Sequence, residues 1–454
     1  MNWFARLSVL WRSVIIAFAG VVAVGAAVFG WVVLGPGPMD FTGGNRVLLA
    51  NYREADPTGV PPELTRASLI ERGQYLTRAA DCVACHTAKG GVPFAGGLAF
   101  VLPFGTIYSA NITPDKDTGI GSWSDAAFLN ALHKGIDDEG KPLYPAMPYA
   151  SYTGMTDADA LAIKAYLFSL APVHNEVPEN RLHFPFNQRW LIGIWASLFD
   201  SDRRFEPDAT RSAEWNRGAY LVENLAHCGE CHTPRNFAYA LDNRNKFAGE
   251  IQSGWRAYNI TSDRSSGVGA WSASELAQYL SSGHADGRGT AGGPMGEAVD
   301  DSLKFLTKDD IAAIVNYLQT VPALASSDHP VTKSSPAPVS HREGVIAAID
   351  PRGKQIFEGA CVSCHGWTGA SPLTRYATLT GARALNDPGA TNVAQMVLHG
   401  MTRDAPGGKI FMPAFGHAYS DAEIAAVANY VTARFGAQPS RITAKQVTQL
   451  RQEN

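Results

Sequence analysis

The sequence predicts a mainly α-helical chain of three small tandem domains with long loops, strung behind one membrane-spanning helix. Three observations predict it. The pentapeptide C-x-x-C-H occurs three times, as Cys82-Val83-Ala84-Cys85-His86, Cys228-Gly229-Glu230-Cys231-His232 and Cys361-Val362-Ser363-Cys364-His365. An amphipathic helix pattern with an acidic start follows each copy, at 157–167, 309–318 and 421–431, with apolar residues three and four apart. Near the N-terminus, residues 14–34 run without a charge.

The pentapeptide carries its own chemistry. Two thiols one helical turn apart can each form a thioether to a haem vinyl group, and the next histidine then lies under the iron. A single copy could instead be a redox pair or half a zinc site. Three copies use all 6 cysteines of the chain and leave none for disulfides or for completing a Cys₄ zinc site. The expectation is three covalently bound haems c, with thioethers at Cys82, Cys85, Cys228, Cys231, Cys361 and Cys364. His86, His232 and His365 are then the proximal ligands.

At 454 residues the chain is long for a single core, and about three domains of roughly 100–200 residues agree with the motif count. A net charge of -4 with 18% charged residues excludes a strongly basic nucleic-acid binder. With Gly 44 and Pro 27, long irregular loops are expected between short helices.

At about 1.5 Å per residue, 14–34 is long enough to cross a bilayer. Trp11 and Trp31 stand near its ends as interfacial anchors, and Arg6 and Arg12 precede it. The positive-inside rule therefore puts 1–13 in the cytoplasm and everything after residue 34 outside. The competing reading is a cleaved signal peptide, for which Gly25-Ala26-Ala27 offers small residues, although the apolar run is long for one. Both readings place the haem motifs on the same side.

The rest divides as a linker (35–67), a first domain (68–171), an inter-domain segment (172–212), a second domain (213–321), a Pro/Ser-rich linker (322–350), a third domain (351–437) and a tail (438–454). Each domain opens on a helix whose glycine precedes an aromatic: Gly73 with Tyr75, Gly218 with Tyr220, Gly353 with Phe357. That pattern implies close helix crossing, with the ring packed on a partner. The closing helices carry Tyr166, Tyr317 and Tyr430. The first two domains are a duplication. Asn111-Ile112-Thr113 matches Asn259-Ile260-Thr261, and the intervals onward to Trp123 and Met147 equal those to Trp271 and Met295. The third lacks that block and is shorter. Residues 190–199 are apolar and aromatic but too short to span a bilayer. They form either a buried inter-domain helix or a surface for the membrane or a partner subunit. The 322–350 linker is expected to let the third domain sit with some independence. In the tail only Ile442, Val447 and Leu450 are apolar points.

The sixth iron ligand decides what such a haem does, because methionine raises the potential and closes the iron. Met147, Met295 and Met412 recur at one position per domain, each beside a proline that stiffens the expected loop. Met155 rivals Met147. His133, His284 and His399, each shortly before the methionine, offer bis-His ligation as the alternative. A haem enzyme such as a peroxidase, with an open iron, is the rival of another class. It is disfavoured because every domain has a methionine to close its iron and no catalytic constellation stands out.

With these residues in hand the chain resembles the three-haem cytochrome c subunits of membrane-bound dehydrogenases of acetic acid bacteria and related proteobacteria. The likeness runs through Phe94-Ala95-Gly96-Gly97, Asn111-Ile112-Thr113-Pro114, Pro185-Phe186-Asn187-Gln188-Arg189-Trp190 and Glu214-Trp215-Asn216-Arg217-Gly218, and on through Cys231-His232-Thr233-Pro234-Arg235. The resemblance implies three tandem class I cytochrome c-like domains in the periplasm, anchored to the inner membrane. It pairs His86 with Met147, His232 with Met295 and His365 with Met412. It also implies a respiratory relay that takes electrons from a separate catalytic subunit and passes them to ubiquinone. That catalytic subunit would be of molybdopterin, FAD or PQQ type. The opening phrase at 35–41 resembles the aldehyde-oxidising members most, ahead of FAD-dependent gluconate or polyol and quinoprotein alcohol dehydrogenases. Residues 190–199 are the first candidate for the quinone contact.

Overall fold

The computed structural model describes residues 8–34, 45–48, 61–200, 203–325, 350–405 and 408–453. The linker phrase at 35–41 and most of the 322–350 linker lie outside them.

The described residues open on a helix, Val9–Leu34, whose stretch Val9–Trp31 is long and apolar enough to cross a membrane and is not buried among the described residues. Its far end is held. The Arg244 guanidinium carbon lies 3.3 Å from the centre of the Trp31 ring, and Arg244 donates to the Trp31 carbonyl at 3.3 Å. This contact ties the apolar helix to a loop of the second repeat.

Each C-x-x-C-H lies just behind a leading helix that crosses a closing helix. The pairs are Leu69–Ala79 with Asp157–Ser169, Ala213–Tyr220 with Lys308–Thr320, and Pro351–Ile356 with Asp421–Phe435. The sequence pattern explains their starts. Ser68, Thr156, Ser212 and Thr307 each cap a helix by accepting a backbone N–H two or three residues into it. The glycines explain the closeness of the crossing. A Cβ on Gly73 would lie 1.9 Å from the Ala162 carbonyl oxygen; on Gly218, 2.0 Å from that of Ala313; on Gly353, 2.2 Å from that of Ala426. In each case the next obstacle includes the Cβ of Tyr166, Tyr317 or Tyr430. The expected crossing is therefore present, and the aromatic at its far side is the tyrosine of the closing helix.

Among the described residues the buried apolar side chains form two cores rather than three. One continuous core runs from Leu76 through Val321 and takes in both duplicated segments, while a second core spans Phe357 to Leu450. Two matched ionic knots join the first pair. Asp159 receives Arg72 at 2.6 Å and, from the second repeat, the Tyr220 hydroxyl at 2.8 Å. Asp310 receives Arg217 through two bonds of 2.8 Å and, from the first repeat, the Tyr75 hydroxyl at 2.6 Å. The duplicated halves thus meet through the same residues in exchanged roles, a pseudo-twofold interface.

The third repeat is docked on the second rather than free of it. Arg403 donates to Asp300 at 2.8 and 3.1 Å, Arg256 reaches Asp387 at 3.3 Å, and Gln395 donates to the Gly254 carbonyl at 3.0 Å. Because Arg403 and Gln395 are buried, this contact is a desolvated one, and the expected independence is not observed. The tail forms a helix, Ala444–Gln452, seated on the third core through Ile442, Val447 and Leu450.

The inter-domain helix is Arg189–Phe199, and none of its residues is buried. Trp190, Ile194 and Leu198 are 62%, 51% and 39% exposed, and their four-residue spacing puts them on one face. Of the two readings of this segment, the buried one is thereby overturned. Trp195 on another face anchors the helix, donating its indole N–H to the Ala238 carbonyl at 2.8 Å.

Candidate functional site

Each C-x-x-C-H begins or forms one short helical turn, Cys82–Cys85, Gly229–His232 and Val362–His365, which stacks the two thiols of each motif. Burial pushes the Cys82, Cys85 and Cys228 thiols up to about 12. A redox-active C-x-x-C needs a lowered thiol pKa, so these are not poised as redox pairs.

The histidines share one arrangement. Nδ1 of His86 donates to the Ala110 carbonyl at 2.7 Å, Nδ1 of His232 to the Tyr258 carbonyl at 2.6 Å, and Nδ1 of His365 to the Ala377 carbonyl at 2.7 Å. A proton held on Nδ1 leaves the Nε2 lone pair for a metal, and the bond orients the ring. Ala110 and Tyr258 each stand immediately before the duplicated Asn-Ile-Thr block. Within it Asn111 accepts the Thr113 N–H at 3.0 Å and donates to the Val173 carbonyl at 2.7 Å; Asn259 does the same with Thr261 and Leu324 at 2.8 and 2.7 Å. The block therefore pins the carbonyl that aims the histidine. Sequence reasoning recognised the block as a duplication and missed this role. The recurrence of the block after each of the first two motifs was the available signal.

The candidate sixth ligands sit on three different elements. Met147 lies in a turn between Pro145 and Pro148, its N–H bonded to the Tyr144 carbonyl at 3.1 Å. Met295 is in the first turn of the helix Gly293–Asp301, and Met412 ends the strand Gly408–Met412, opposite Met401. Only the first is the loop expected for all three. Pro294 explains the second, since proline is favoured in the first helical turn, where its missing N–H costs nothing. Met147 and Met295 pack at the edge of the shared core, whereas Met155 is 0% exposed and enclosed by protein on every side. Among the histidine rivals, His284 has both ring nitrogens engaged, by Thr290 at 2.9 Å and Asp286 at 3.0 Å. His133 is buried with Nδ1 3.6 Å from Asp157, and His399 is exposed.

Comparison with known proteins gives the family. Residues 70–171 match the family model described as cytochrome c, and 348–431 match one described as cytochrome C oxidase, cbb3-type, subunit III. The fructose dehydrogenase cytochrome subunit of Gluconobacter japonicus is 39% identical, covering 91% of this chain and 89% of its own length. The gluconate 2-dehydrogenase cytochrome c subunit of Pantoea cypripedii is 38% identical over 85% of this chain and 90% of its own. The chain belongs to the family of dehydrogenase cytochrome c subunits. A further relative, a nicotinate dehydrogenase subunit of Pseudomonas putida, is 40% identical over 82% of this chain but only 31% of its own greater length.

A cytochrome c subunit holds haem covalently, and the residues present fit that group. Paired thiols precede a histidine whose Nδ1 is already committed. The second repeat also holds buried donors without a partner among the described residues: the Tyr258 hydroxyl, the Trp271 indole N–H, and Nε and Nη1 of Arg288.

Proposed function

We propose that this cytochrome c subunit is a three-haem electron relay in a membrane-bound dehydrogenase complex. It takes electrons from a separate catalytic subunit and delivers them to ubiquinone on the periplasmic face of the inner membrane. The carrying observation is the threefold C-x-x-C-H with its histidine Nδ1 tied each time to a backbone carbonyl.

In this reading Cys82 with Cys85, Cys228 with Cys231, and Cys361 with Cys364 form the thioethers. His86, His232 and His365 hold the irons with Met147, Met295 and Met412. The haem supplies one-electron chemistry when bound; the chain supplies ligands, spacing and a fixed surround. Nδ1-tied histidines, with Met147 and Met295 packed against the shared core, limit reorganisation. The domains are taken as 68–171, 213–321 and 351–437. The second packs against both others, so it stands in the middle of the relay. The helix Val9–Leu34 anchors the chain in the membrane. The exposed face of Trp190, Ile194 and Leu198 is the surface assigned to the bilayer and its quinone. An aldehyde-oxidising catalytic partner is the first choice on the phrase at 35–41. A fructose- or gluconate-oxidising partner is the second reading, favoured by the relatives' identity and coverage.

The test is the mass and quinone activity of the purified complex. The expected results are three covalent haems on this chain and reduction of a short-chain ubiquinone with the co-purified catalytic subunit. The cofactor extracted from that subunit decides between the two partners. A mass showing fewer than three haems removes the relay as drawn, and a complex unable to reduce ubiquinone removes its end point.

A further inference from the structure

One loop of the second repeat, 235–246, fastens both exposed apolar helices. It follows the second C-x-x-C-H directly and closes on itself. The Asn236 N–H donates to the Ala240 carbonyl at 2.7 Å, and the Asn236 side-chain oxygen accepts the N–H groups of Ala238 and Ala240 at 2.9 and 3.2 Å. Inside this closed turn the Ala238 carbonyl receives the Trp195 indole of the helix Arg189–Phe199. Further along, Arg244 stacks on Trp31 near the end of the helix Val9–Leu34 and donates to its carbonyl. Phe237 sits in the closed turn and is 74% exposed among the described residues. Tyr239 of the same turn meets the Phe104 ring edge-on, with centres 5.6 Å apart, and Phe104 stacks on Phe186 at 4.7 Å. Phe186 and Phe184 are exposed and lead into the helix that presents Trp190.

A contiguous patch of apolar side chains held outward marks a contact with a protein or a membrane. Two observations choose the membrane. The exposed residues are aromatic, as in segments that lie at the bilayer interface. The tie from Arg244 to Trp31 also fixes the loop beside the last turn of the apolar helix, at the depth where a crossing helix leaves the hydrocarbon. We infer that the loop 235–246 seats the second repeat in the lipid headgroup layer, with Phe237 and Phe184 entering the bilayer. The inference rests on the membrane-crossing reading of Val9–Leu34 and adds a second contact to it. A single crossing helix leaves the repeats free to swivel. Two contacts fastened to one closed loop fix which face of the second repeat looks at the membrane.

The test is electron paramagnetic resonance of the full-length holoprotein in phosphatidylcholine–phosphatidylglycerol vesicles. All 6 native cysteines belong to the C-x-x-C-H motifs, so in the haem reading an introduced cysteine is the one free thiol to carry a spin label. The labelled variants are Phe237→Cys, Val22→Cys within the apolar helix, and Leu373→Cys at an exposed position of the third repeat. Each is probed by collision with oxygen, which concentrates in lipid, and with a water-soluble nickel chelate. The expected oxygen-to-nickel ratio at 237 is several-fold above that at 373 and on the lipid side with that at 22. A ratio at 237 equal to that at 373, with 22 still in lipid, would overturn the inference and leave the anchor standing. Weak collision of 237 with both reagents would overturn it too, by showing the loop covered by protein. Water-side ratios at both 22 and 237 would remove the anchor and the inference together.

Discussion

His133 stands in register with a ligand yet is placed like a core residue. It is 1% exposed, at the end of the helix Asp125–Lys134. Burial, reinforced by the cations Arg204 and Lys134, pushes its pKa down to about 3. The sign follows directly. The unfolded chain binds this proton near 6.5 and the folded one does not, so stability is complete above that pH and declines as pH falls toward 3. The slope is at most about 1.4 kcal/mol per pH unit from this residue. Melting temperatures of wild type and His133→Gln, compared at about pH 7 and about pH 4.5, should show the variant losing less on acidification; equal losses would refute it. The same residue separates the ligation schemes. Met147→His should abolish the weak red charge-transfer band of a Met-ligated ferric haem in the first domain, and His133→Ala should keep it. The reverse pair of spectra would make His133 the ligand.

At the scale of elements, the glycine crossings make the sharpest claim. The Cβ of Gly218→Ala would meet a backbone carbonyl oxygen at 2.0 Å, which cannot rotate away as a side chain could. The helices must separate, and overpacking of this kind costs typically about 1–3 kcal/mol or more. Denaturant unfolding of Gly218→Ala should show that loss, and a variant as stable as wild type would mean the helices do not touch there. These crossings were legible in the sequence from the glycines of the leading helices, whereas the pairing of each glycine with the tyrosine of the closing helix was not, because it joins positions far apart in the chain. The capped closing helices were legible because their acidic starts and apolar spacing are local. The setting of Met295 was not, since proline beside glycine reads equally as loop or as a first helical turn. Nor was the tail helix, whose three apolar points mean nothing until the third core presents a surface for them. The helix Arg189–Phe199 illustrates a further limit: apolar composition says that a face wants cover, not what covers it. Its assignment to the bilayer has a direct check. Replacing Trp190, Ile194 and Leu198 together by serine should leave folding intact, because none is buried, while lowering liposome binding of a form cut after residue 34. Unchanged binding would rule out this face.

For the whole molecule, the decisive fact is that two repeats share one core and exchange the same residues across it. Arg217 is 2% and Asp310 0% exposed, and Tyr75 of the first repeat donates to that same carboxylate. Removing one member of such a buried pair strands the other, at a cost of roughly 3–5 kcal/mol, whereas replacing both with apolar residues is often near neutral. Arg217→Met should therefore destabilise strongly, and Arg217→Met with Asp310→Leu should recover much of the loss. Because Tyr75 hangs on Asp310, the damage cannot stay in the second repeat: 68–171 and 213–321 should unfold in one transition, followed by denaturant melts at two wavelengths. Separate transitions for these repeats would show that their haem sites are held by independent cores. A single transition would mean that the distance between the first two sites is set by the fold itself rather than by a linker. That rigidity is what a relay requires, since electron transfer between fixed centres needs no search of conformations.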